Sequence, residues 1–111
     1  MVTPAMTRIA AVFLLLAVAS PAWAQTPQIA IALRDHHFVP ANVPAPAGTK
    51  IELRVRNEQK TPAEFESSSL HREQVVTPGA TISVYVGPLD PGRYEFFDDF
   101  HPATRGHLVV K

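Results

Sequence analysis

Two acidic pairs and a set of histidines hold most of the chemistry this chain can do. Asp98, Asp99 and His101 close the aromatic run Tyr94-Glu95-Phe96-Phe97, while Glu64 and Glu66 flank Phe65 in a second short run. Carboxylate oxygens and imidazole nitrogens together suit a hard or borderline divalent cation, a copper or an iron ion. Glu64, Glu66, Asp98, Asp99 and His101 are therefore the leading candidate metal ligands. Asp98 shares the alternation phase of Tyr94 and Phe96, which points it towards the interior. A buried carboxylate without a partner costs roughly several kcal/mol, so a cation or hydrogen-bond donors must lie beside it.

A second tier of candidates is His36, His37, His71 and Glu73. Neighbouring side chains on a strand point to opposite faces, so the adjacent pair His36-His37 is poorly placed to serve one ion. His71 and Glu73 can supplement the site from the segment that follows Glu66. His107, after Gly106 in the last apolar run, reads as structural. Nucleophilic catalysis finds no support, because the chain has no Cys and Ser67-Ser68-Ser69 lacks a Gly-x-Ser-x-Gly elbow.

The elements that must position these groups are short strands. The alternations Ile29/Ile31/Leu33, Ile51/Leu53/Val55 and Ile82/Val84/Val86 each put apolar residues on one face and polar ones on the other. Ala63–Ser67 reads as a short strand of uncertain phase: with Phe65 inward the glutamates face water, and with the opposite phase they turn in. Gln74–Val76, Arg93–Phe97 and Leu108–Val110 complete about seven strands, with Pro40, Pro44 and Pro46 expected to interrupt pairing after the first. The segment 68–72 reads as a loop or one helical turn. No long stretch beyond the leader has a 3.6-residue apolar period. An all-β fold, an antiparallel Greek-key β-sandwich, is the expectation.

Residues 1–24 read as a secretory signal peptide. Arg8 precedes the apolar run Ile9–Ala19, which is short for a bilayer span, and Ala22-Trp23-Ala24 has the form of a signal-peptidase site. Met1, Met6 and Trp23 all lie in that leader, so residues 25–111 contain no Cys, Met or Trp and form one domain without a disulfide. That domain carries nine Lys/Arg against ten Asp/Glu and all five histidines. The balance argues against nucleic acid as a partner.

With these residues in view the chain resembles a cupredoxin. The succession Asp35-His36-His37-Phe38-Val39-Pro40, Val43-Pro44-Ala45-Pro46-Ala47-Gly48-Thr49, Glu64-Phe65-Glu66-Ser67, Gly92-Arg93-Tyr94-Glu95-Phe96 and Gly106-His107-Leu108-Val109-Val110 carries the likeness. More narrowly it is similar to the cupredoxin-like domain of the EfeO iron-uptake family and to FtrB-type periplasmic cupredoxins. In electron-transfer cupredoxins a Cys ends the aromatic strand, a His follows three residues on, and a Met commonly comes next; here Asp98 and His101 hold the first two positions and no Met follows. The upstream histidine ligand of that family falls near Glu64. Without a thiolate the blue, charge-transfer copper site is excluded.

The resemblance implies a periplasmic metal-binding protein that takes copper or iron at a non-blue site. Its partners would be components of a membrane iron-permease system, and its step the oxidation of Fe²⁺ or its delivery to the permease. A ferroxidase acting on its own is the enzymatic form of this reading. The contrasting reading is a metal-free β-sandwich interaction module, its acids solvated or paired with Arg72 and Arg105. Mass spectrometry of the exported protein is expected to show an N terminus at Gln25; retention of Ala22-Trp23-Ala24 would identify an uncleaved anchor instead.

Overall fold

The computed structural model describes residues 25–111, and the signal-peptide expectation lies outside the described residues. Nine strands follow one another: β1 (Gln28–Arg34), β2 (His37–Val39), β3 (Asn42–Ala45), β4 (Ile51–Asn57), β5 (Ala63–Ser67), β6 (Arg72–Val76), β7 (Thr81–Val86), β8 (Gly92–Asp98) and β9 (His101–Val110). They form two sheets, ordered β2-β1-β4-β7 and β3-β9-β8-β5-β6. Most pairings are antiparallel, but β1 runs parallel to β4 and β3 parallel to β9. Alternation reports which face is buried and says nothing of strand direction, so the mixed orientation was invisible to it.

The prolines interrupt less than expected. Val43 and Ala45 of β3 are buried, and Pro44 lies on a strand that pairs on one side only, where its missing N–H removes nothing from the ladder. The last strand is also longer than Leu108–Val110, because it begins at His101 and includes Pro102 beside an irregular register. Phe97 pairs with Arg105 but Asp98 pairs with His101, so residues 102–104 bulge out of the ladder. Segment 68–71 is a turn, closed by the His71 N–H donating to the Ser68 carbonyl at 3.3 Å.

The core lies between the sheets. Ile31, Leu33, Ile51, Leu53, Val55, Val84 and Val86 face Val43, Phe65, Val76, Phe96, Leu108 and Val110, all buried. Phe38 closes one end, edge-on to Phe96 at 4.9 Å and to Phe65 at 6.4 Å between ring centroids. Asn57, fully buried at the end of β4, donates to the carbonyls of Thr61 and Val76 and accepts from the Gln59 N–H. Backbone groups that would otherwise be orphaned are thereby paired at the pole that carries the histidines.

Gly106 marks the tightest approach in this region. A Cβ there would lie 2.5 Å from the Phe96 ring and 2.9 Å from the Ala41 carbonyl oxygen, so either the aromatic core or the backbone must shift. Gly106→Ala is expected to destabilise the fold by about 1–3 kcal/mol, the usual cost of overpacking. Urea unfolding measures this, and an unchanged midpoint would contradict the packing described.

Candidate metal centre

Phe65 is the residue that decides the geometry of the site. It is buried in the core together with Ala63 and Ser67, so Glu64 and Glu66 occupy the other face of β5, half-exposed on the outside of the five-stranded sheet. On the neighbouring β8-β9 hairpin, Asp98 is fully buried, and Asp99, next in the chain, is exposed. One ligand oxygen each from Glu64, Glu66 and Asp99 lies within 4.8 Å of the others, a separation one cation can bridge. Glu73 lies opposite Glu66 on β6, on the same face of the sheet.

Asp98 stands apart from this group. Its Oδ1 accepts from the N–H groups of Glu64 and Phe100, each at 3.0 Å, and its Oδ2 lies 3.3 Å from Nδ1 of His101. The buried carboxylate inferred from the alternation is therefore satisfied by hydrogen bonds. The expected five-residue set divides in two: Glu64, Glu66 and Asp99 converge outside the sandwich, whereas Asp98 and His101 meet at its pole. The reason is period two, since consecutive residues on an extended chain cannot both face the same side.

The second-tier residues separate likewise. Glu73 belongs with the carboxylates, and exposed His71, at a φ of 55°, shares a shallow surface depression with Glu66 and Glu73. His36 lies against His101, with ring centroids 4.3 Å apart, while His37 is exposed on β2. His107 pairs with Glu95, Nε2 to Oε2 at 3.5 Å, in keeping with a structural role. Sequence reasoning passed over Gln59 and Thr104, which hold the His36 backbone; isolated polar residues in a turn and a strand give no periodic signal that would have marked them.

Arg72 and Arg105 do not neutralise the outer carboxylates. Arg72 donates to the carbonyls of Tyr85, Leu70 and His71, and Arg105 pairs with Glu95. Among the described residues, no ion pair involves Glu64, Glu66, Glu73 or Asp99. The consequence is a proton held where none is usual: the Glu64 carboxyl is pushed up to about 7 by its hydrogen bond to Glu73, by partial burial and by the negative charges around it. Partial burial and the charges of Asp99 and Glu73 also raise Glu66. A cation would relieve the same repulsion.

These donors do not fit a blue copper centre, since residues 25–111 offer neither thiolate nor thioether. They fit a harder ion bound through oxygen. Several known proteins share features of this chain. The family model described as a cupredoxin-like domain matches residues 7–110. An uncharacterised protein of Rickettsia prowazekii (strain Madrid E) is 45% identical over 84 residues, 75% of this chain and 67% of that protein. Among solved structures, the metal-binding domain of the Streptococcus pneumoniae D39 Cu(I)-exporting P-type ATPase CopA, with Cu(I), superposes with a TM-score of 0.67 at 16% identity, covering 76% of this chain and 84% of that one. Auracyanin A, a "blue" copper protein of Chloroflexus aurantiacus, does so at 0.64 and 13%, over 76% and 98%. A purple cupredoxin from Nitrosopumilus maritimus follows at 0.58 and 19%, over 77% and 99%.

The raised Glu64 carboxyl sets a pH dependence with a definite sign. Between about 4.5 and about 7 the folded protein keeps a proton that the unfolded chain releases, so stability present below this window is lost as pH rises through it. Melting temperatures of the metal-free protein are expected to fall across that window more steeply in wild type than in Glu73→Gln. Parallel profiles would contradict the coupling.

Proposed function

Because the chain belongs to the cupredoxin-like domain family, matched over residues 7–110, we propose that it is a periplasmic, non-blue metal-binding protein of bacterial iron uptake. Its ion is held by Glu64, Glu66 and Asp99, with Glu73 alongside. The observation that carries this reading is the convergence of three carboxylates within 4.8 Å without a basic partner among the described ion pairs. Hard anionic oxygens favour Fe³⁺ over Fe²⁺ and Cu²⁺ over Cu⁺, because the more charged ion gains more from them. A site of this kind favours loss of one electron from bound Fe²⁺ to an external acceptor such as dioxygen and retains the Fe³⁺ product for delivery, which is the step assigned to it ahead of a membrane permease. The likeness to the EfeO and FtrB-type proteins supports the iron assignment. The Cu(I) and "blue" copper proteins that share the fold support metal binding as a use of this scaffold.

The metal-free interaction module is favoured by a different observation: Asp98 needs no ion. Among the described residues no buried side-chain polar atom lacks a hydrogen-bond partner, so the pole is complete as it stands. Calorimetry separates the two readings. Fe²⁺ under anaerobic conditions, and Cu²⁺ in a parallel titration, are expected to bind the wild-type chain. Glu66→Gln/Asp99→Asn is expected to weaken the iron site by about tenfold or more, since each variant removes a charged ligand. Saturating metal should also raise the melting temperature, by the equivalent of about 2.7 kcal/mol at a hundred times Kd. Equal heats for the two proteins, with no thermal shift, would leave the interaction module.

A further inference from the structure

The turn between β1 and β2 is built around a histidine at a backbone cost. Arg34 pairs with His37, so Asp35 and His36 form a two-residue hairpin loop, and both have positive φ, 48° and 60°. Loops of this kind favour Asn-Gly or Asp-Gly, because a side chain at the second position strains the left-handed backbone. His36 nevertheless occupies that position. Its N–H donates to Gln59 Oε1 at 2.7 Å, and its carbonyl accepts from Thr104 Oγ1 at 2.8 Å. Held from both sides, the His36 ring lies 4.3 Å from the His101 ring, tilted 44° to it.

His101 is prepared in a complementary way. An ionised Asp98 can only accept, so its contact with Nδ1 puts the ring hydrogen there and leaves the Nε2 lone pair free. A carboxylate behind a histidine is the arrangement that fixes the tautomer and orientation of a metal-binding imidazole. Here the carboxylate is fully buried and the ring is partly exposed, with 43% of its side chain accessible.

We infer that His36 and His101 form a second cation site, of imidazole chemistry, that takes a borderline divalent ion such as Cu²⁺ or Zn²⁺. It is separate from the carboxylate group and does not rest on the function proposed above. Asp98 acts in it as a positioning residue, and solvent completes the coordination. The inference accounts for three features that a plain hairpin would not need: a histidine where glycine is preferred, two side chains bracing its backbone, and a second imidazole oriented beside it.

The test uses the untagged full chain carrying Glu64→Gln, Glu66→Gln and Asp99→Asn, which removes the carboxylate ligands. Titration with Cu²⁺, followed by calorimetry and electron paramagnetic resonance, is expected to show one bound ion with nitrogen coupling. His36→Asn, which tolerates the left-handed turn, and His101→Gln are each expected to weaken binding by about tenfold or more and to change the nitrogen coupling. His36→Gly serves as a second variant, since it relieves the turn while removing the ligand. His37→Asn should bind as its parent does. Absence of Cu²⁺ binding in the carboxylate-deleted chain would overturn the inference. So would unchanged affinity and spectra in both His36 variants, or loss of the site in His37→Asn alone.

Discussion

The buried carboxylate of Asp98 is the constraint from which the functional end of this protein follows. A charge taken fully out of water must be met by donors, and hydrogen bonds to an ionised group are among the stronger ones available. The donors come from β5, from the turn at Phe100 and from His101. Strand β5 and the turn between β8 and β9, distant from each other in the chain, are thereby held at one point.

Two chemically different surfaces follow from that clamp. With Asp98 inside, Asp99 is turned outward beside Glu64 and Glu66, and the Asp99 N–H donates to the Glu64 carbonyl at 2.9 Å to keep the strands in step. The negative charges assembled there repel one another, and the Glu64 carboxyl is pushed up to about 7 in consequence. On the other side, Asp98 orients an imidazole towards the β1-β2 turn. Carboxylates thus lie outside the five-stranded sheet and imidazoles at the pole.

Membership of the cupredoxin-like family describes the scaffold and leaves its chemistry open. A cysteine at the end of the aromatic strand would supply a soft ligand. Asp98 in that place supplies a hydrogen-bond acceptor, and the neighbouring backbone N–H groups satisfy it. The pole therefore closes on itself through hydrogen bonds. The apolar residues of both sheets pack much as the alternation in the chain requires.

Sequence alone determined the all-β class, the inward faces of β1, β4 and β7, the burial of Asp98 and the exclusion of a thiolate centre. Each depends on residue type or on period two, which a single strand displays without its neighbours. Strands β2 and β3 were missed because prolines hide short pairings that an edge tolerates. The phase of Ala63–Ser67 was equally undecidable, because Glu-Phe-Glu alternates either way until the core claims Phe65. Only the tertiary structure separated Asp98 and His101 from Glu64, Glu66 and Asp99, and brought His36 against His101. Those are contacts between residues far apart in the chain, and their partners are chosen by strand order and register, which no local pattern encodes.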